Sequence, residues 1–156
     1  MVKEKLMERY DWQQRTALLL GEEKMERIRN AHVLVVGLGG VGAYAAEMIC
    51  RAGVGRMTIV AVSYTHLTLP TSDITQVRFA DLWETYHCGL SKAVRKRLQK
   101  MGMKRKLPVV FSTEQADPKA VLLTDDEQNK KSTCGTVSYM PAVFGCYLAE
   151  YVIKRL

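Results

Sequence analysis

His32-Val33-Leu34-Val35-Val36-Gly37-Leu38-Gly39-Gly40-Val41-Gly42 carries an apolar run straight into a glycine cluster. Small and apolar residues follow at once, with Ala43, Ala45, Ala46, Met48 and Ile49. A short apolar run bounded by glycine suits a strand buried on both faces, and the residues after it suit a helix packed on that sheet. The glycines fall at the turn between them. Gly37 permits a tight turn, Gly39 lets a phosphate approach the backbone, and Gly42 lets the helix lie close to the strand. A helix beginning there presents unpaired N–H groups and a partial positive charge to an anion. Gly37, Gly39, Gly40 and Gly42 are therefore candidate cofactor-binding residues for a nucleotide phosphate; a bare packing turn is the alternative.

The flanking sequence completes the unit. Residues 10–20 end at Gly21. Residues 22–30 place Met25 and Ile28 on one face, with Glu22 and Glu23 at the start and Arg27 and Arg29 at the end, which complements a helix dipole. After the glycine turn a helix runs to about Ala52, and Gly53 and Gly55 stop it. Arg56-Met57-Thr58-Ile59-Val60 reads as a second strand, so residues 32–60 predict a βαβ unit with a parallel pair. Such units place an acid at the end of the second strand to hold ribose hydroxyls. That position is Ala61, and no Asp or Glu occurs between Glu47 and Asp73.

A length of 156 residues predicts one domain with a real core. No apolar run is long enough to span a bilayer, and the charged N-terminus has no apolar signal segment, so no membrane association and a cytoplasmic location are expected. The four cysteines, Cys50, Cys88, Cys134 and Cys146, form no Cys-x-x-Cys pair, and no metal-ligand set is expected. The net charge of +7 is compatible with a polyanionic partner.

Downstream, residues 62–72 carry no charge and little periodicity. Residues 73–82 have mixed polarity. Ser91 is an expected helix cap, and Val94, Leu98 and Met101 form an apolar stripe. Lys92, Arg95, Lys96, Arg97, Lys100, Lys104, Arg105 and Lys106 lie together without an acid among them. A solvated helix face is one reading; contact with the phosphates of a nucleic acid is the other. Aromatic interleaving is absent, so base stacking is not indicated. Residues 107–112 read as a strand, residues 115–134 as a long surface loop and residues 136–139 as a short strand. Pro141 suits a helix first turn, and Val143, Phe144, Tyr147, Leu148, Tyr151 and Val152 form a helical stripe behind it.

Arg15-Thr16, the run Leu18-Leu19-Leu20-Gly21-Glu22-Glu23 and the Gly-x-Gly-Gly-x-Gly of residues 37–42 resemble the start of the ThiF/MoeB/HesA family of ATP-dependent adenylating enzymes, relatives of ubiquitin-activating enzymes. Residues 79–98, the strand through Val109-Val110-Phe111-Ser112-Thr113-Glu114 and residues 138–156 resemble one branch, the tRNA threonylcarbamoyladenosine dehydratases. The resemblance implies a Rossmann-like α/β fold with a parallel sheet and flanking helices. It implies ATP at the glycine turn, with Mg2+, and a homodimer in which Arg15 reaches ATP phosphates across the interface. It implies activation of a threonylcarbamoyl carboxylate on tRNA as an acyl adenylate, then loss of water. A planar guanidinium suits phosphate oxygens. Lys92, Arg95, Lys96, Lys100, Lys104 and Arg105 become candidate contacts to tRNA. Cys88 matches a cysteine in many dehydratase-like members and is the candidate catalytic residue. Its other reading, a small apolar filler, is preferred because the dehydration needs no covalent carrier.

The chain departs from that family. The ribose Asp, an Asn/Arg/Lys set and a second Asp for ATP and Mg2+ have no counterpart here, and residues 62–72 resemble the translation of a sequencing adapter. The implied organisation is residues 1–61 as the N-terminal part of an ATP-binding domain, 62–72 as an anomalous junction, and 73–156 as the C-terminal part of the same domain. Central strands of the sheet are then missing and the chain is expected to be inactive. A sulfur-carrier adenylyltransferase, an NAD-dependent oxidoreductase and a non-catalytic tRNA-binding fragment are the alternatives. The lack of Cys-x-x-Cys pairs counts against the first; Ala61 and the extra Gly40 count against the second.

Overall fold

The computed structural model describes residues 11–61, 71–115, 117–127 and 130–156. The chain runs α1 (Gln14–Leu20), α2 (Glu22–Asn30), β1 (His32–Val36), α3 (Gly40–Arg51), β2 (Arg56–Val60), β3 (Val77–Asp81), α4 (Gly89–Lys100), β4 (Pro108–Ser112), β5 (Val121–Glu127), β6 (Lys130–Cys134) and α5 (Tyr139–Arg155). The class is mixed α/β with a parallel pair and flanking helices. It divides into two compact units, residues 1–62 with 145–156, and residues 63–144.

The first unit holds the βαβ element. β1 and β2 pair in parallel, His32 opposite Arg56 through Val36 opposite Val60. Val35 packs with Ala46 and Ile49 of α3 and with Ala149 of α5, and Val33, Met57 and Val152 close over that cluster. A second cluster joins Ala17, Met25 and Ile28, against which Leu20, Val54, Ile153 and Leu156 pack. The face of α2 read from its sequence spacing is thus the face it buries, and each such side chain contributes about 2 kcal/mol by leaving water.

One expectation fails here. Among the described residues of this unit β1 is covered on one face only, and Leu34 and Val36 remain 60% and 63% exposed. The reason is topological: among the described residues the sheet containing β1 has two strands, and the helical cover collects on the side of Val33 and Val35. Both-face burial needs layers on either side of a wider sheet.

The second unit contains an antiparallel pair, β3 with β4, from Val77 opposite Ser112 to Asp81 opposite Pro108. Val77, Leu82, Phe111, Met140 and Phe144 are buried there. The entry to β3 is a carboxylate-anchored turn. Glu114 accepts from Ser72 N and Asp73 N at 2.8 and 2.9 Å and from the Ser72 hydroxyl at 2.8 Å. Asp73 accepts from the Thr75 hydroxyl and Thr75 N at 2.6 and 2.8 Å and from the Gln76 amide at 3.1 Å. Desolvation pushes the Glu114 carboxyl up, but the donors on Asp73 and Ser72 outweigh it and hold it below its ordinary value. The Thr75 hydroxyl and then the Gln76 amide hold Asp73 low as well.

The expected loop over 115–134 is instead a second antiparallel pair, β5 with β6, from Val121 opposite Cys134 to Leu123 opposite Ser132 and then, after a register shift, Glu127 opposite Lys130. Backbone pairing does not require apolar alternation, so a polar stretch can supply a ladder. The expected strand at 136–139 is absent; those residues lead into α5, with Pro141 in its first turn. Of the anomalous stretch 62–72, residues 62–70 lie outside the described residues.

Candidate phosphate-binding site

The turn from β1 to α3 is built by two glycines with different tasks. Gly37 has φ +90°, a left-handed conformation that side chains resist, and its N–H donates to Val60 O at 2.7 Å, closing the end of the parallel pair. A Cβ on residue 42 would lie 1.9 Å from Gly37 O, so only glycine lets the first turn of α3 pass this close to the strand. Gly39 is the N-cap of α3, in an extended conformation and without a side-chain cap. The first helical bond is Ala43 N to Gly39 O at 3.0 Å. By helix geometry the N–H groups of Gly40, Val41 and Gly42 have no carbonyl partner within the helix. A Cβ at Gly39 would meet nothing within 4 Å, so the cap position itself is uncrowded. An uncapped, open helix start of this kind suits an anion.

Behind the turn, α5 crosses α3 at Gly145. A Cβ there would lie 2.6 Å from Tyr44 Cβ, 2.7 Å from Val41 O and 2.8 Å from Ala45 N. The pattern of apolar residues in α5 did not flag Gly145. Its signal was a glycine in mid-helix, where it costs about 1 kcal/mol relative to alanine and needs a packing reason.

The other candidates fall elsewhere. Arg15 is exposed on α1, with no hydrogen bond or ion pair to another described residue. Cys88 is buried and caps α4: its Sγ accepts from Ser91 N at 3.4 Å, so Cys88 takes the role expected of Ser91. His87 beside it has φ +52°, and its ring meets Tyr86 edge-on. Lys92, Lys96 and Lys100 are exposed on α4, and Lys104 and Arg105 are exposed after it. Arg95 is half-buried, and its Nη1 donates to Leu82 O at 2.9 Å, to Thr85 O at 3.0 Å and to the Thr85 hydroxyl. Among the described residues no cluster of three or more His, Cys, Asp or Glu side chains could hold a metal ion, and residues 37–42 include no carboxylate. The donor set of the described residues does not fit the Mg2+ that the resemblance implied.

Residues 10–62 match the model of the ThiF family. This chain is 46% identical over 52 residues to the tRNA threonylcarbamoyladenosine dehydratase of Escherichia coli K12, covering 31% of this chain and 19% of the relative. The Bacillus subtilis enzyme of the same name is 48% identical over 46 residues, covering 30% of this chain and 18% of that one. These alignments therefore span about a fifth of the curated relatives' length. The solved structure of the Escherichia coli dehydratase in complex with ATP superposes with a TM-score of 0.72 at 20% identity, over 92% of this chain and 94% of that chain, which is a likeness of fold. The glycine turn lies within residues 10–62, the stretch that matches the family model.

Proposed function

We propose that the ThiF segment is the phosphate-binding part of an ATP-dependent adenylating enzyme of the tRNA threonylcarbamoyladenosine dehydratase type. The observation that carries this is the approach of residue 42 to Gly37 O beside a helix start that has no side-chain cap and an uncrowded Gly39. In such an enzyme ATP would supply the adenylyl group that activates a carboxylate. The chain's own part is to grip phosphate oxygens with the N–H groups of residues 40–42 and to hold the turn against β1 through Gly37 and Gly42. Arg15 on a homodimeric partner would add a guanidinium to the same phosphates. A cytoplasmic homodimer belongs to this reading. So does the organisation of residues 1–61 and 73–156 as two parts of one domain around the 62–72 junction; sequencing an independently amplified gene across codons 60 to 73 tests that junction.

Neither the ribose acid nor the Mg2+ ligands are found in this chain, so it binds the nucleotide and turns it over negligibly. Titration with ATP and NAD in parallel tests the reading. Saturable ATP binding that exceeds NAD binding, without pyrophosphate release in the presence of tRNA, is expected. Preference for NAD would indicate an oxidoreductase, and pyrophosphate release well above background would overturn the inactivity.

A second reading is favoured by the basic segment. Apart from Arg95, the cations of residues 92–106 are exposed, and none forms an ion pair with another described residue. Salt-dependent binding of tRNA, persisting without ATP, is the expected signature of an RNA-contacting surface.

A further inference from the structure

The cations of α4 and those of the loop behind it belong to different elements, and a short turn ties the two together. Residues 82–84 form a single 3-10 turn between β3 and α4. On one side it is bonded to the helix, where Arg95 donates to Leu82 O and Thr85 O at 2.9 and 3.0 Å. On the other it is bonded to the loop. The Trp83 indole Nε1 donates to Arg105 O at 2.8 Å, Leu82 N donates to Leu107 O at 2.8 Å, and Asp81 accepts from Leu107 N at 3.0 Å. Asp81 also caps the turn through Trp83 N at 2.9 Å.

The helix end is closed by the same stretch of chain. Met103 N donates to Leu98 O at 2.9 Å and Gly102 N to Gln99 O at 3.0 Å, with Gly102 at φ +68°, the left-handed cap that satisfies the last carbonyls. Between Met103 and Leu107, therefore, the backbone is held at both ends and at Arg105 in the middle. The side chains of Lys104, Arg105 and Lys106 stay exposed. On α4, Arg95 shares the inward stripe with Ser91, Val94 and Leu98, while Lys92, Lys96 and Lys100 stand outward at four-residue spacing, about 6 Å apart along the axis.

We propose that residues 81–85 are a staple that fixes the helix cations and the loop cations as one phosphate-reading surface for folded RNA, with Arg95 and Trp83 as positioning residues. This rests on the RNA reading above. A folded RNA presents phosphates at fixed spacing, so a fixed cation array discriminates in its favour; a flexible polyanion adapts to a loose array equally well. Arg95 adds no contact of its own to the RNA, because its guanidinium is spent on the turn.

The test measures binding of a tRNA transcript and of an unstructured oligonucleotide of equal length to the whole chain across a salt series. Trp83→Phe keeps the ring and removes the indole donor. Arg95→Lys keeps the charge and removes the guanidinium fork. Each is expected to weaken tRNA binding about three- to tenfold and to reduce the log–log salt slope by about one, while binding of the unstructured oligonucleotide is unchanged. Parent-like tRNA affinity and slope in both variants overturn the staple, as does equal weakening toward both ligands. If circular dichroism shows Arg95→Lys unfolded, Trp83→Phe decides alone. Joint replacement of Lys104, Arg105 and Lys106 by serine separates the two levels: unchanged tRNA binding there removes the RNA reading itself, whereas loss there with parent-like staple variants removes only the staple.

Discussion

The carbonyl oxygen of Gly37 and the α-carbon of Gly42 are so placed that a methyl group on residue 42 would come within 1.9 Å of that oxygen. Gly39, two residues from Gly37, has no such neighbour. The two positions therefore separate folding from binding. Gly42→Ala is expected to destabilise the first unit by about 2 kcal/mol or more, seen as a lowered melting temperature. Gly39→Ala is expected to melt like the parent yet bind ATP at least about tenfold more weakly, because its methyl group enters the space in front of the helix start. Parent-like ATP binding by Gly39→Ala would remove the turn from the site.

Gly145→Ala offers a check on the support behind the turn. Helix propensity alone would make alanine the better residue by about 1 kcal/mol. The backbone of Val41 and Ala45 and the Cβ of Tyr44 leave no room for it. The expected outcome is a net loss of about 1–3 kcal/mol, because a packed backbone cannot yield as a flexible side chain can. Thermal or urea denaturation reads the sign directly.

Cys88 sits where a helix cap is required, and serine is among the best cap residues. Cys88→Ser is expected to be neutral or mildly stabilising, and Cys88→Ala to cost about 1 kcal/mol. Alkylation by iodoacetamide should proceed faster at exposed Cys50 and Cys146 than at buried Cys88 in the folded chain. Preferential labelling of Cys88 would revive a nucleophilic role.

The turn at Glu114 and Asp73 predicts an acid limb in stability. Both carboxyls sit below their ordinary values in the folded chain. Their contribution is therefore complete above the unfolded values, 4.5 for Glu114 and 3.8 for Asp73, and is lost as pH falls through the folded ones. Glu114→Gln should be less stable than the parent at pH 7, with the difference shrinking below about pH 4. Amide exchange at Ser72 and Asp73, followed by NMR across that range, locates the effect.

How much of this was legible without coordinates depends on how local the cause is. β2 occupies the five residues read as the second strand, and α2 ends at Asn30 as expected, because capping, dipole complementarity and glycine turns act within a few residues. The pair β5 and β6 was hidden because Asp125, Asp126 and Glu127 are poor strand formers by composition, and pairing with residues 130–134 does not depend on that composition. Arg95 was counted with the outward cations because charge counting ignores direction. Its place on the stripe of Ser91, Val94 and Leu98 was the available signal. Trp83 gave none, since its partner is the carbonyl of Arg105, 22 residues away.

The bare outer face of β1 has a biological corollary. A ribbon two strands wide among the described residues, with Leu34 and Val36 exposed, resembles an arrested folding intermediate to the cell's quality-control machinery. Chaperone retention and proteolytic turnover, more than any catalytic rate, are then expected to govern how much of this polypeptide accumulates where it is expressed.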